Sequence, residues 1–222
     1  MKKIIFFVLL LSAYFSFNAF QCSTNMVGNG NRITKELTGL SDFNAIANGI
    51  VADIELVKGD TYKVVFEGDE NLLEAIRVEI KGKSLNFENR KSYSYMSSRS
   101  NIKFTVTLPE LEDIALGGSG SIVTKSDFNS EKMSIALGGS GDIRLTGKAK
   151  YQEVAIGGSG DIDLSNLIGE KGEVSIGGSG NVKINVSERL EVAIAGSGDV
   201  EYQGNPSVKE TVVGSGEVKK RR

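Results

Sequence analysis

The amino-acid sequence predicts an all-β chain folded as a single-domain parallel β-helix with coils of about 18–21 residues. Three observations carry that prediction: a Gly-Ser-Gly pattern repeated six times, apolar–small–apolar alternation ahead of each copy, and a charge column behind it whose sign alternates.

The copies are IALGGSGSI from Ile114, IALGGSGDI from Ile135, VAIGGSGDI from Val154, VSIGGSGNV from Val174, VAIAGSGDV from Val192 and ETVVGSGEV from Glu210. Their triplets are Gly118-Ser119-Gly120, Gly139-Ser140-Gly141, Gly158-Ser159-Gly160, Gly178-Ser179-Gly180, Gly196-Ser197-Gly198 and Gly214-Ser215-Gly216, at intervals of 21, 19, 20, 18 and 18 residues. A period near 20 marks a solenoid, whose units bury their apolar face only by stacking on neighbours.

Each unit reads as strand, bend, strand and return turn. Four residues before the first glycine stand Ile114, Ile135, Val154, Val174, Val192 and Glu210; two before it stand Leu116, Leu137, Ile156, Ile176, Ile194 and Val212. Small residues lie between them (Ala115, Ala136, Ala155, Ser175, Ala193, Thr211), which is the period-2 signature of a strand with its branched residues inward. Behind the bend, Ile122, Ile143, Ile162, Val182, Val200 and Val218 repeat the inward position. The next column reads Val123, Arg144, Asp163, Lys183, Glu201 and Lys219. Its alternating sign suits an in-register parallel stack, where opposite charges on adjacent strands contribute roughly 0.2–1 kcal/mol and like charges destabilise. At the bend, glycine offers positive φ and close approach of backbones. The serines between form an expected structural ladder of hydroxyls that donate to and accept from one another.

Residues 43–108 lack the triplet but carry strand patterns. Ile50, Ala52, Ile54 and Leu56 alternate before a turn at Lys58-Gly59-Asp60, and Tyr62, Val64 and Phe66 before one at Glu67-Gly68-Asp69. Leu72, Leu73 and Ile76 fit one helical turn; Lys81-Gly82-Lys83 then turns the chain into Leu85, Asn86 and Phe87. With no linker between the halves, 36–222 reads as one domain, preceded by a flexible segment at 22–35. The stretch Asn89–Asn101, with Tyr93, Tyr95, Arg90, Lys91 and Arg99, reads either as a sugar-contacting loop or as a plain serine-rich turn. The terminal Lys219-Lys220-Arg221-Arg222 finishes the last strand with charge and blunts its edge.

The N-terminus reads as an address. Lys2 and Lys3, the apolar run from Ile4 and the polar exit at Ser16, Asn18 and Gln21 make 1–21 a secretory signal, short of the roughly 20 apolar residues of a membrane span. Its removal takes two lysines and no acid, leaving a net charge of −4. Cys22 stands where a lipoprotein carries its acylated cysteine, although Ala19-Phe20-Gln21 departs from the small residues usual there; lipidation and a free thiol both stay open. Export to the periplasm, outer membrane or cell surface follows.

Composition excludes much chemistry. The 222 residues hold no His and no Trp, so Ser-His-Asp and Cys-His catalysis and His-ligated zinc are out, and one cysteine rules out disulfide frameworks and multi-cysteine metal sites. Nucleotide loops fail too: no G-x-x-x-x-G-K-[ST] occurs, and strands rather than helices follow each triplet. The residues after the triplets (Ser121, Asp142, Asp161, Asn181, Asp199, Glu217) read as a solvated polar column, with cation binding between Asp142 and Asp161 the weaker alternative. No catalytic residue, cofactor, metal or nucleic-acid partner is expected.

FNAIANGIVADIELVKGD, VVFEGDENLLEAI, FTVTLPELEDI and the GSG-D-[IV] copies together make the chain, over roughly 36–218, resemble the putative auto-transporter adhesin, head GIN domain family of bacterial exported proteins. The resemblance implies a pectin-lyase-like solenoid, a role in cell adhesion and no catalytic residues. The expected function is therefore a non-enzymatic exported adhesion or interaction module. It would use a flat face of the Ala/Ser strip beside Asp113, Glu153, Glu173 and Glu191, and its surface ligand would be a glycan or a protein. The alternatives are carbohydrate binding or processing, for which the short coils leave little pocket wall, and a polymer of rods stacked end to end.

Overall fold

The computed structural model describes residues 24–90, 93–95 and 102–221. Residues 1–21, read from the sequence as a secretory signal, and Cys22 lie outside them, as do Lys91, Arg99 and Arg222. The chain forms a β-solenoid of about five turns.

Its N-terminal part comprises β1 (Thr24–Met26), β2 (Arg32–Leu37), β3 (Ala45–Asn48), β4 (Asp53–Lys58), β5 (Lys63–Asp69), helix α1 (Glu70–Ala75), β6 (Ile76–Lys81), β7 (Ser84–Asn89), β8 (Tyr93–Tyr95) and β9 (Lys103–Leu108). The triplet-bearing part follows as β10 (Asp113–Leu116), β11 (Ser121–Thr124), β12 (Phe128–Leu137), β13 (Asp142–Ile156), β14 (Ile162–Ile176), β15 (Val182–Ile194), β16 (Val200–Gln203), β17 (Ser207–Val212) and β18 (Val218–Lys220).

Two parallel ladders meet at the corner. Ahead of it, β7, β3, β10 and β12 stack in that order, followed by the C-terminal parts of β13, β14 and β15 and then by β17. Behind it run β9, β4, β11, the N-terminal parts of β13, β14 and β15, then β16 and β18. The charge column is in register throughout: Val123 pairs Arg144, which pairs Asp163, then Lys183, Glu201 and Lys219. Arg144 lies 3.8 Å from Asp163, and Lys219 lies 3.5 Å from Glu201. Burial pushes the Asp163 carboxyl up, but hydrogen bonds from Ser165 and the charges of Lys183 and Arg144 outweigh it and hold the group below its ordinary range.

The expected return turns are absent from the central coils. β13, β14 and β15 run 15, 15 and 13 residues without a break from one corner to the next. Bending is absorbed inside the strands, at Gly147 (φ 126°) and at register shifts between Leu164 and Ile168 and between Gly169 and Lys171.

Inward residues make one core. Ile135, Leu137, Leu164, Val182, Ile184 and Leu190 are fully buried, each contributing about 1.5–3 kcal/mol of apolar burial. Phe87 and Phe66 both pack on Phe104, at 4.6 and 5.4 Å between ring centroids, where the coil has no triplet.

Stack order departs from chain order at this end. The β3–β4 coil, first in sequence, lies between the β7–β9 coil and the β10–β11 coil. The reason is a change of direction: β6 and β7 form an antiparallel hairpin through Gly82 (φ 64°), while β5 runs antiparallel to β9 and β2 antiparallel to β5. These strands close the N-terminal end of the rod. Residues 32–35, expected in a flexible segment, belong to β2, because β5 offers them a free edge. Ile50 and Ala52, expected in a strand, form the corner between β3 and β4 instead. Asn48 shapes it: its Nδ2 donates to the Ala52 carbonyl and its Oδ1 accepts from the Ile50 amide, both at 3.0 Å.

At the triplets the need for glycine is spatial. Among their glycines only Gly214 has a positive φ (140°). The others lie against the previous coil: a Cβ on Gly118 would strike the Ile50 carbonyl oxygen, one on Gly139 that of Gly118, and one on Gly160 that of Gly141. Backbone cannot yield there as a flexible side chain would. Nor do the serine hydroxyls form the expected ladder. They are exposed, and the links between successive triplets are Ser amides donating to Gly carbonyls, Ser159 to Gly139 at 3.1 Å and Ser179 to Gly158 at 3.0 Å.

Gly160→Ala is accordingly expected to lower the unfolding free energy by at least about 1–3 kcal/mol. In Gly177→Ala the new Cβ meets only the Ile156 carbonyl at 3.8 Å, and a change within about 0.5 kcal/mol is expected. Urea denaturation of the two variants measures the contrast.

Candidate functional site

The column after the triplets is a structural ladder. The Asp142 carboxylate accepts from the Asp161 amide at 3.3 Å, and Asp161 accepts from both the amide and Nδ2 of Asn181 at 3.0 Å. Asn181 Oδ1 then accepts from the Asp199 amide and Asp199 from the Glu217 amide, each at 2.9 Å. Below them, Asp53 accepts from the Ser121 amide and hydroxyl. A short oxygen-bearing side chain past the corner thus satisfies the amide of the coil above at every step but one, the Asp142 amide donating to the Gly120 carbonyl instead. Among the described residues no cluster of three or more His, Cys, Asp or Glu is placed to hold a metal ion.

The flat face lies on the ladder ahead of the corner, where parallel register turns sequence columns into stripes. The small residues Ala115, Ala136, Ala155, Ser175, Ala193 and Thr211 align, as do Asp113, Ser134, Glu153, Glu173, Glu191 and Lys209. Two positions further out runs Lys132, Tyr151, Lys171, Arg189 and Ser207, seven residues before each triplet. That third stripe escaped the sequence reading, although its fixed offset from the glycines would have revealed it.

Stacked carboxylates repel. Here each has a donor: Lys132 Nζ lies 2.6 Å from Glu153, the Tyr151 hydroxyl donates to Glu173 Oε2 at 2.7 Å, and Arg189 pairs with Glu191. The Lys132 ammonium also lies 5.9 Å from the Tyr151 ring centroid. Burial, the hydrogen bond to Glu173 and the surrounding glutamates push the Tyr151 phenol well above its ordinary range. An open hollow of about 230 Å³ is lined by Tyr151, Lys171, Gly172, Glu173, Arg189 and Glu191. Toward the corner lies a shallow apolar trough of about 380 Å³, bordered by the small stripe, Gly157, Gly177 and Ala195 and limited by Val213. Tyr93 and Tyr95, part of the loop weighed as a sugar contact, lie in β8, which pairs with β1.

A phenol whose native pKa is raised favours the folded state while neutral. Its contribution is fully present below about pH 10, the unfolded value, and is lost as pH rises through the folded value. Tyr151→Phe, which cannot ionise, is expected to lose less stability above about pH 10 than the unsubstituted protein; denaturant midpoints across alkaline pH test this.

No curated protein matches the chain. Among solved structures, a putative adhesin from Bacteroides fragilis is 23% identical with a TM-score of 0.72, over 88% of this chain and 100% of that one. A putative adhesin from Parabacteroides merdae is 20% identical with a TM-score of 0.62, over 89% and 99%. A putative lipid binding protein from Parabacteroides distasonis is 23% identical with a TM-score of 0.54, over 90% and 100%. These likenesses establish a shared fold, and a fold carrying two such descriptions leaves the ligand to be read from side chains. The model of one family covers residues 42–206, which takes in β3 to β16 and the first five triplets. The chain belongs to the family described as putative auto-transporter adhesin, head GIN domain.

Proposed function

We propose that the protein is an exported, non-enzymatic adhesion module that binds a cell-surface partner through the striped face. The supporting observation is that the face is wide, regular and internally neutralised: Glu153, Glu173 and Glu191 each engage a donor of the chain. Such a surface can make many shallow contacts without the desolvation cost of an unpaired charge. Family membership and the adhesin-described neighbours support the same reading. Export rests on the basic start and apolar run of residues 1–21, and Cys22 is where an acyl anchor would attach. The closed N-terminal end disfavours a polymer of rods stacked head to tail, because β2, β5 and β6 occupy the surface the next rod would need.

Binding of the fluorescently labelled protein to intact epithelial and bacterial cells tests this. Saturable binding is expected, weakened about ten-fold or more by Ser175→Arg, which sets a bulky cation in the middle of the face, and unchanged by Lys148→Gln, an exposed change elsewhere in β13. Absence of saturable binding, or release of reducing ends from acidic polysaccharides, would overturn the reading.

A further inference from the structure

We propose that the hollow beside Tyr151 is a binding site for a single acidic sugar residue, a ligand carrying one carboxylate and several hydroxyls. The inference rests on the striped face being the interaction surface. Its volume of about 230 Å³ falls below the roughly 300–1,000 Å³ of sites for drug-sized ligands, which suits one ring rather than a chain.

The walls are held before any ligand arrives. The Tyr151 hydroxyl is bonded to Glu173 at 2.7 Å and Arg189 is paired with Glu191, so little side-chain freedom remains to be lost on binding. An ionised carboxylate has about four acceptor positions, and the bonds to Tyr151 and Arg189 leave others on Glu173 and Glu191 for ligand hydroxyls.

Lys171 sets the charge of the ligand. Lys132 above Tyr151 is committed to Glu153 at 2.6 Å, whereas Lys171 has only Glu188 at 3.8 Å and remains half exposed. An ammonium with spare donors at the rim of a hydroxyl-accepting hollow matches a carboxylate, whose charge-assisted bond is stronger than one to a neutral hydroxyl. A polyanion would run onto the stacked glutamates, and a neutral sugar would leave Lys171 unused. One negative charge on a polyol satisfies both constraints.

Amide-resolved NMR titration of the protein with glucuronate, glucose and acetate separates the contributions. Glucuronate is expected to shift the amides of Tyr151, Lys171, Gly172, Glu173, Arg189 and Glu191, with glucose and acetate each binding at least about ten-fold more weakly. Lys171→Gln should weaken glucuronate at least about five-fold and leave glucose unchanged. Tyr151→Phe, which keeps the ring but frees Glu173, should also weaken glucuronate. In each variant the remaining amide spectrum reports that the fold is intact. Glucuronate shifts that are absent or scattered over the surface, an acetate response equal to that of glucuronate, or full binding by Lys171→Gln would each overturn the site. Cell binding without a glucuronate response would sink this site and leave the adhesion reading standing; the converse result would do the opposite.

Discussion

Successive coils can approach to the spacing of a parallel sheet only if nothing projects from the corner into the carbonyl of the coil below. At Gly139, Gly158, Gly178 and Gly196 the place of a Cβ is taken by the oxygen of the preceding triplet. The column is glycine for this reason and not for positive φ. Once the corners nest, the columns flanking them are brought into register at about 4.8 Å per step, and the register shifts fall in the middle of the long strands. The Asp and Asn residues past the corner then pair with the coil above, inward Ile, Leu and Val close the core, and outward residues become stripes.

Periodic features were legible in the sequence because each coil repeats one local problem. The apolar columns, the charge alternation from Arg144 to Lys219 and the helical turn near Leu72 all follow from spacing alone. The closing end was not legible, since antiparallel pairing of β5 with β9 and of β6 with β7 places the first coil second in the stack, and no local pattern encodes that order. Asn48 replaces the triplet by side-chain hydrogen bonds, which residue type alone did not announce. The polar ladder was visible as a column and the Tyr151 stripe was missed, and the roles of both depend on contacts between coils: the Asp161 carboxylate accepts from the Asn181 amide, 20 residues on.

The same nesting explains why the candidate site is a face. Central coils without return turns raise no walls, so the chain builds breadth instead of depth. Three glutamates stacked in register are tolerable only with compensation, and Lys132, Tyr151 and Arg189 supply it from the neighbouring stripe. The outcome is a surface on which the stacked glutamates are satisfied by neighbouring donors while the Lys171 ammonium is only loosely engaged.

Direct nesting of corners can be measured by cross-linking. Neighbouring coils bring equivalent Cα atoms within the roughly 4.4–6.8 Å that a disulfide spans, whereas coils two steps apart lie near 10 Å. In a Cys22→Ser background, paired Ser140→Cys and Ser159→Cys changes should therefore oxidise to an intramolecular disulfide, and the Ser140→Cys with Ser179→Cys pair should not. Equal cross-linking of both pairs, or none between positions 140 and 159, would contradict the stacked-corner account.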